Sequence, residues 1–302
     1  MKNVKRKALW LVVALSCMMI VSACARPKPH AQHVFIISFD QGGGPDIENS
    51  TNMPVFHEMA KTGAHDWRAF TIVPSITLPS HTSMLTGVGI QKHQIDWNDY
   101  RPEMGTVKVP TIFSLAHEKG FSTAMYVGKE KFKHLNIPGS VDHFEISGNA
   151  LAVAAAFARD LPKEKYNLCF LHFADIDSAG HAKGLHSPEW LQALADTDAA
   201  LKIIRNAIEK AGLEKNSVVI LTADHGGHNY STTDGKTKGT HGSSKPADVE
   251  IPWIAWGHGV KKNYFIDTAV VTYDTSATAL WLLGITIPHS FWGRPVTSAF
   301  GK

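Results

Sequence analysis

"SVVILTADHGGH", residues 217–228, opens with seven residues rich in Val, Ile and Leu and runs straight into Asp224 and His225. A short apolar run of this kind, with turn residues behind it, fits a strand covered on both faces. The same pattern recurs along the chain. "HVFIISF" (33–39) runs into Asp40, and "NLCFLHF" (167–173) is followed by Ala174, Asp175 and then Asp177. "FSTAMYV" (121–127) and "IPWIAWG" (251–257) read as two further strands. Helical patterns lie between them at 52–62, 79–86, 110–119, 149–160, 188–211 and 274–283, and Ser187-Pro188-Glu189 is a good helix start. This alternation predicts an α/β fold with a mostly parallel central sheet and helices on both faces.

In open sheets of this class ligands bind beyond the carboxyl ends of the strands. Asp40, Asp177 and Asp224 are therefore expected at one edge. Carboxylates gathered without a cation repel one another and raise their own pKa values, so a metal is the economical reading. Histidines stand close by in sequence. "DIDSAGH" sets Asp177 and His181 four apart in a segment read as a loop, "TADHGGH" sets His225 beside Asp224, and "KGTHGSS" offers His241 between glycines. Carboxylate and imidazole donors suit zinc, ahead of manganese or iron. Catalytic zinc takes about three protein ligands, so the six residues Asp40, Asp177, His181, Asp224, His225 and His241 fit two divalent ions better than one. Each motif alone has a bland alternative, a helix cap or a surface imidazole, and with 17 histidines in the chain any single one is cheap. The ordered set carries the inference.

The first residues address location. Lys2, Lys5, Arg6 and Lys7 precede the apolar "ALWLVVALSCMMI", and "VSAC" ends the run with small residues before Cys24. That is the pattern of a signal peptide over 1–23. The small residues ahead of Cys24 resemble a bacterial lipobox, which predicts a lipidated Cys24, a lipid-anchored linker over 24–32 and a single catalytic domain over 33–302. The expected location is the cell envelope, anchored to a bacterial membrane and facing outside the cytoplasm. A leader carrying four basic residues and no acidic one takes the formal charge from +3 to about −1 on removal. No basic run with interleaved aromatics remains to suggest a nucleic-acid surface. Of the three cysteines, Cys17 leaves with the leader and Cys24 is modified. Cys169 then stands alone, which excludes a disulfide framework and a thiolate-rich zinc site. It reads as a small buried hydrophobe.

A further stretch poses a question of mechanism. "ITLPSHTSMLTG" (76–87) carries the hydroxyls of Thr77, Ser80, Thr82, Ser83 and Thr86 with no acid beside any of them. A hydroxyl is a poor nucleophile until a base or a metal activates it. The order Asp40, Thr77 in "ITLPSHTSMLTG", "DIDSAGH", "TADHGGH" and "KGTHG" resembles the alkaline phosphatase superfamily, and within it the type I phosphodiesterase and nucleotide pyrophosphatase branch. The resemblance covers nearly all of the chain after the leader. It implies two zinc ions, one held by Asp177, His181 and His241 and the other by Asp40, Asp224, His225 and the Thr77 hydroxyl. It further implies that Thr77 attacks phosphorus to give a phospho-threonine ester that water then hydrolyses, with backbone amides at the helix start stabilising the charge.

Departures from the branch are visible. Ser80 stands in "TLPSH" where these enzymes carry asparagine in "TFPNH"; it is expected to contact the substrate phosphate as a shorter donor. The Cys/Ser-x-Pro-x-Arg signature of sulfatases is absent. Asn98 in "HQIDWN" (93–98) and Lys129 beyond strand 121–127 are further candidates at the substrate, and His228 is a candidate support for the ligands. Trp67, Trp97, Tyr100 and Tyr230 are aromatic candidates for stacking on a base, with packing the commoner role. Segments 97–110 and 229–248 are the spare lengths that could cap a substrate. The expected function is hydrolysis of a small anionic phosphodiester or pyrophosphate. Phosphomonoesterase, phosphonate hydrolase and a non-catalytic envelope-binding lipoprotein are the alternatives.

Overall fold

Residues 29–301 are described by a computed structural model. The leader, Cys24 and most of the linker lie outside the described residues. The apolar runs form strands as their composition demands. In chain order these are β1 (His33–Phe39), β2 (Ala64–Phe70), β3 (Thr123–Val127), β4 (His143–Ile146), β5 (Leu168–Phe173), β6 (Ser217–Ala223), β7 (His228–Ser231), β8 (Thr237–Thr240), β9 (Glu250–Gly257) and β10 (Tyr264–Phe265). Eight of them make one sheet in the order β10-β2-β9-β6-β1-β5-β3-β4, while β7 and β8 pair as a separate hairpin. β9 is antiparallel to both its neighbours, and every other pairing in the large sheet is parallel.

Alternation along β1 sorts its side chains to two cores. Val34 and Ile36 face a layer containing Leu78 and Met84 of helix Thr77–Thr86, Phe113 of helix Ile112–His117 and Leu280 of helix Asp274–Leu282. Phe35, Ile37 and Phe39 face Phe56 of helix Pro54–Thr62, Phe157 of helix Ala150–Glu164 and Leu201 of helix Pro188–Lys210. Each such side chain, fully withdrawn from water, contributes roughly 2 kcal/mol. Cys169 lies in the second layer with no exposed surface, and burial pushes its thiol well above the usual range.

Register then sets the site. Phe39 of β1 pairs with Phe173 of β5 and with Ala223 of β6, so the three strands end level. The acids that follow them reach one rim at one height. β9, running the other way, brings its amino end to the same rim.

Several elements differ from the sequence reading. β2, "AHDWRAF", alternates buried with half-buried or exposed positions and so lacks an apolar run. "DIDSAGH" belongs to helix Asp175–Lys183, not to a loop, with Asp175 and Asp177 in its first turn, where carboxylates oppose the helix dipole favourably. Helix Thr77–Thr86 starts two residues before the expected 79, placing Pro79 within the first turn, where its missing N–H is harmless. Among the described residues no helix is long and apolar enough to cross a membrane.

Candidate metal centre

Each expected ligand is delivered by an element end. Asp40 follows β1, Asp224 and His225 follow β6, and His241 directly follows β8. Asp177 and His181 lie four apart on helix Asp175–Lys183, hence on one face. Thr77 is the first residue of its helix, with Ile76 at the cap position and no side-chain cap, so its hydroxyl is not consumed in capping.

The structure brings these groups together. His181 Nε2 lies 3.2 Å from Asp177 Oδ1 and 3.1 Å from His241 Nε2, and His241 Nε2 lies 3.5 Å from Asp177 Oδ1. His225 Nε2 lies 3.2 Å from Asp224 Oδ2, 3.5 Å from Asp40 Oδ1 and 3.5 Å from Thr77 Oγ1. The two groups are contiguous: His225 and His241 stack with ring centroids 3.8 Å apart, and ligand atoms of Asp40, Asp177 and His225 lie within 4.8 Å of one another.

Hydrogen bonding tests whether this set fits a cation. His181 Nδ1 faces the Gly239 carbonyl at 3.1 Å, His241 Nδ1 the Ser75 carbonyl at 2.9 Å and His225 Nδ1 the Gly226 carbonyl at 2.8 Å. A carbonyl can only accept, so each Nδ1 carries the proton and each Nε2 turns a lone pair inward. Two such lone pairs, those of His181 and His241, cannot bond each other at 3.1 Å. One oxygen of each carboxylate, Asp40 Oδ1, Asp177 Oδ1 and Asp224 Oδ2, is buried without a donor. Inward lone pairs beside orphaned carboxylate oxygens are a donor set for divalent metal, nitrogen and oxygen only, of the kind zinc accepts.

Charge around the site follows from burial and neighbours. Burial raises Asp40, but the Lys129 ammonium and then His172 hold its carboxyl well below the usual range. Asp224, equally buried and repelled by Asp40, is pushed well above it. Burial and Asp40 also act upward on Asp177, yet the adjacent His181 and the charge of Lys129 bring it down to about 2. His225 is lowered to about 4 by burial and by His241. Lys129 Nζ sits between Asp40 Oδ2 at 2.5 Å and Asp177 Oδ2 at 2.6 Å, so the strand-end lysine expected near a substrate oxygen bridges the two halves of the ligand set.

Other expected residues divide. Asn98 Oδ1 accepts the Leu78 amide at 2.9 Å, beside Thr77. Ser80 is fully buried, and its hydroxyl has no partner. The helix start offers fewer amides than expected: Leu78 donates to Asn98, Ser80 donates to the Ile76 carbonyl and Pro79 has none. Thr77's own N–H is what remains of the first four positions. His228 touches no ligand. It bonds Asp248 at 2.6 Å, and Asp248 holds Ser243 in the loop after His241. Three of the aromatic candidates pack, Trp67 against Phe56 and Trp97 and Tyr100 against His134, whereas Tyr230 is exposed on β7.

Three buried polar residues behind the ligands were not anticipated. Ser38 donates to His81 Nε2 at 2.8 Å, His81 Nδ1 donates to the Thr77 carbonyl at 2.8 Å, and His172 Nε2 faces Asp40 Oδ2 at 3.0 Å. For Ser38 and His172 the signal in the sequence is a polar residue one position before the end of an otherwise apolar strand, whereas His81 lies inside helix Thr77–Thr86 and carries no such mark.

Comparison with known proteins identifies the family and the fold. The human ectonucleotide pyrophosphatase/phosphodiesterase family member 5 is 25% identical over 225 residues, 66% of this chain and 46% of its own length. A GPI ethanolamine phosphate transferase 1 of Gibberella zeae is 25% identical over 216 residues, 63% of this chain and 20% of its own. The chain thus spans less than half the length of these relatives. Among solved structures, human ectonucleotide pyrophosphatase/phosphodiesterase 5 superposes with a TM-score of 0.73 at 19% identity, covering 90% of this chain and all of that one. A 2-O GAG sulfatase superposes with a TM-score of 0.71 at 15% identity over 89% of this chain and 74% of that one, a likeness of fold alone. The murine phosphodiesterase 5 has also been solved as an inactive threonine-to-alanine variant in complex with AMP. Residues 34–242 match the type I phosphodiesterase / nucleotide pyrophosphatase family. The chain belongs to that family, on an alkaline-phosphatase-like fold.

Proposed function

We propose that this protein is a metal-dependent hydrolase that cleaves phosphodiester or pyrophosphate bonds with Thr77 as nucleophile. The observation that carries the reading is the meeting of Thr77 Oγ1, His225 Nε2 and three orphaned carboxylate oxygens at one rim of the sheet. Two divalent ions, zinc by the donor set, would be held by Asp177, His181 and His241 and by Asp40, Asp224, His225 and Thr77. When bound they supply Lewis acidity, lowering the hydroxyl pKa and offsetting phosphoryl charge. The chain does the rest. Thr77 Oγ forms its bond to phosphorus as the bond to the leaving oxygen breaks, giving a phospho-threonine ester. Water then cleaves that ester, the phosphate product leaves and the hydroxyl regains its proton.

Asn98, its Oδ1 occupied by Leu78, keeps Nδ2 to donate to a non-bridging oxygen. Lys129 supplies positive charge beside it, and the unpartnered Ser80 hydroxyl is a further donor one turn from Thr77. The AMP bound to the inactive threonine-to-alanine variant of the murine relative supports both the nucleophile and a phosphate-ester ligand. Lipid attachment at Cys24 would keep the enzyme in the cell envelope, facing outside the cytoplasm. Purified protein should hydrolyse bis-nitrophenyl phosphate faster than nitrophenyl phosphate or a phenylphosphonate ester. Thr77→Ala should abolish turnover while retaining most of the metal. Unchanged turnover in that variant would remove Thr77 from the mechanism, and a preference for the monoester or the phosphonate would move the protein to the neighbouring chemistry.

A further inference from the structure

His172 has no part in the reaction just described, yet it is a fully buried imidazole in a strand whose other side chains are apolar. β5 lies between β1 and β3, and register pairs His172 with Ser38 on one side and Val127 on the other. The ring therefore spans the ends of two strands. On one side its Nε2 lies 3.0 Å from Asp40 Oδ2. On the other the Gly128 amide donates to its Nδ1 at 3.3 Å. An amide N–H cannot accept, so Nδ1 carries the lone pair and Nε2–H donates to Asp40. Phe132 and His81 pack the ring with centroids at 4.4 and 5.0 Å and hold it in that orientation.

We propose that His172 is a positioning residue of the metal centre, fixing which oxygen of Asp40 faces the cation and tying the Gly128–Lys129 turn to the same carboxylate. The inference rests on the metal-dependent reading above. A carboxylate has two equivalent oxygens and turns about its Cβ–Cγ bond. With His172 donating to Oδ2, it is Oδ1 that is left without a donor, 3.5 Å from His225 Nε2. Lys129 also bonds Oδ2, but its ammonium is shared with Asp177 and sits on a flexible stem. A substrate anion that draws the ammonium away leaves His172 as the donor that keeps Asp40 in place. Partners that orient a ligand in this way typically change metal affinity about 10–100-fold when removed.

The test compares wild type with His172→Phe, which keeps bulk and loses both nitrogens, His172→Gln, whose amide offers one donor and one acceptor at similar reach, and His172→Asn, whose amide is too short to span the gap. Zinc affinity is measured by competition with a chromophoric chelator on the intact protein, alongside KM and kcat for a diester, with circular dichroism to verify folding. Expected are zinc binding weakened about 10–100-fold in the Phe and Asn variants at one of the two sites, a raised KM from the loosened Lys129 turn, and recovery of most of both in Gln. If Phe does not fold, Asn against Gln makes the same comparison. Folded Phe or Asn protein that binds zinc as tightly as wild type, or Gln as weak as Phe, overturns the inference alone. Wild type that takes up no zinc overturns it together with the metal-centre reading, and the two failures are told apart by that first measurement.

Discussion

Gly239→Ala tests whether the β7–β8 hairpin sets the metal geometry. β8 crosses helix Asp175–Lys183 at a point where neither partner has a side chain, Gly239 against Gly180. A Cβ at Gly239 would lie 2.7 Å from the Gly180 carbonyl oxygen and 2.6 Å from Leu185 Cδ1. The leucine tip can turn, whereas the carbonyl is fixed in the helix. Ordinary contact begins near 3.4 Å, so β8 must retreat by about 0.7 Å. That shift reaches the site twice over. His241 is two residues downstream, and the Gly239 carbonyl is itself the acceptor that orients His181 at 3.1 Å. Metal–ligand distances hold within about 0.2 Å, so the displacement is more than three times the tolerance. Overpacking of this size costs about 1–3 kcal/mol, which the hairpin can absorb without unfolding the sheet. Zinc titration by calorimetry should show one site weakened and the other near wild type, with diester turnover down about 100-fold. A variant that binds two ions with unchanged affinity and turns over normally would mean that the hairpin does not position His241.

Two further expectations concern acid stability and anchoring. His93 accepts the Ile95 amide at Nδ1 and donates from Nε2 to Ser83, and burial lowers its pKa to about 4. The folded value lies below the unfolded value of about 6.5, so the unfolded chain takes up the proton first; its contribution is complete above pH 6.5 and about 2 kcal/mol of it is gone by pH 5. Urea midpoints at pH 7 and pH 5 should therefore diverge more for wild type than for His93→Gln, and equal divergence would contradict the assignment. The Cys24→Ser protein should leave the detergent phase in a phase-partition experiment, and retention there would exclude acyl chains at Cys24 as the anchor.

The parts of this molecule that can be read from sequence are those where one physical term dominates. β1, β5 and β6 are legible because strands covered on both faces must be apolar throughout, and their following acids are legible because nothing apolar explains them. β2 is not: as a neighbour of β10 near the sheet edge it alternates, and its polar members Asp66 and Arg68 mask it. Helix Asp175–Lys183 is hidden for another reason. Its buried positions include Asp177 and Gly180, with His181 beside them, and these displace the apolar stripe that would announce a helix. Asn98 and Lys129 could be nominated by position but not oriented, because orientation depends on partners, Leu78 and Asp177, 20 and 48 residues away in sequence. His172 is not legible in the sequence, because a single histidine in a hydrophobic strand looks like a tolerated core residue and only its two hydrogen bonds distinguish it.

The level ends of the three central strands also constrain how the protein is made. Val34 pairs with Leu168 and His33 with Ser217, contacts that span well over a hundred residues. Only Asp177 with His181, and Asp224 with His225, are near neighbours along the chain. A cation therefore cannot nucleate this molecule as it does a small finger domain, since loop closure must come before the ligands meet. Any metal this rim takes up would be the last component fitted, and its loss would loosen a finished scaffold without abolishing the route by which that scaffold forms.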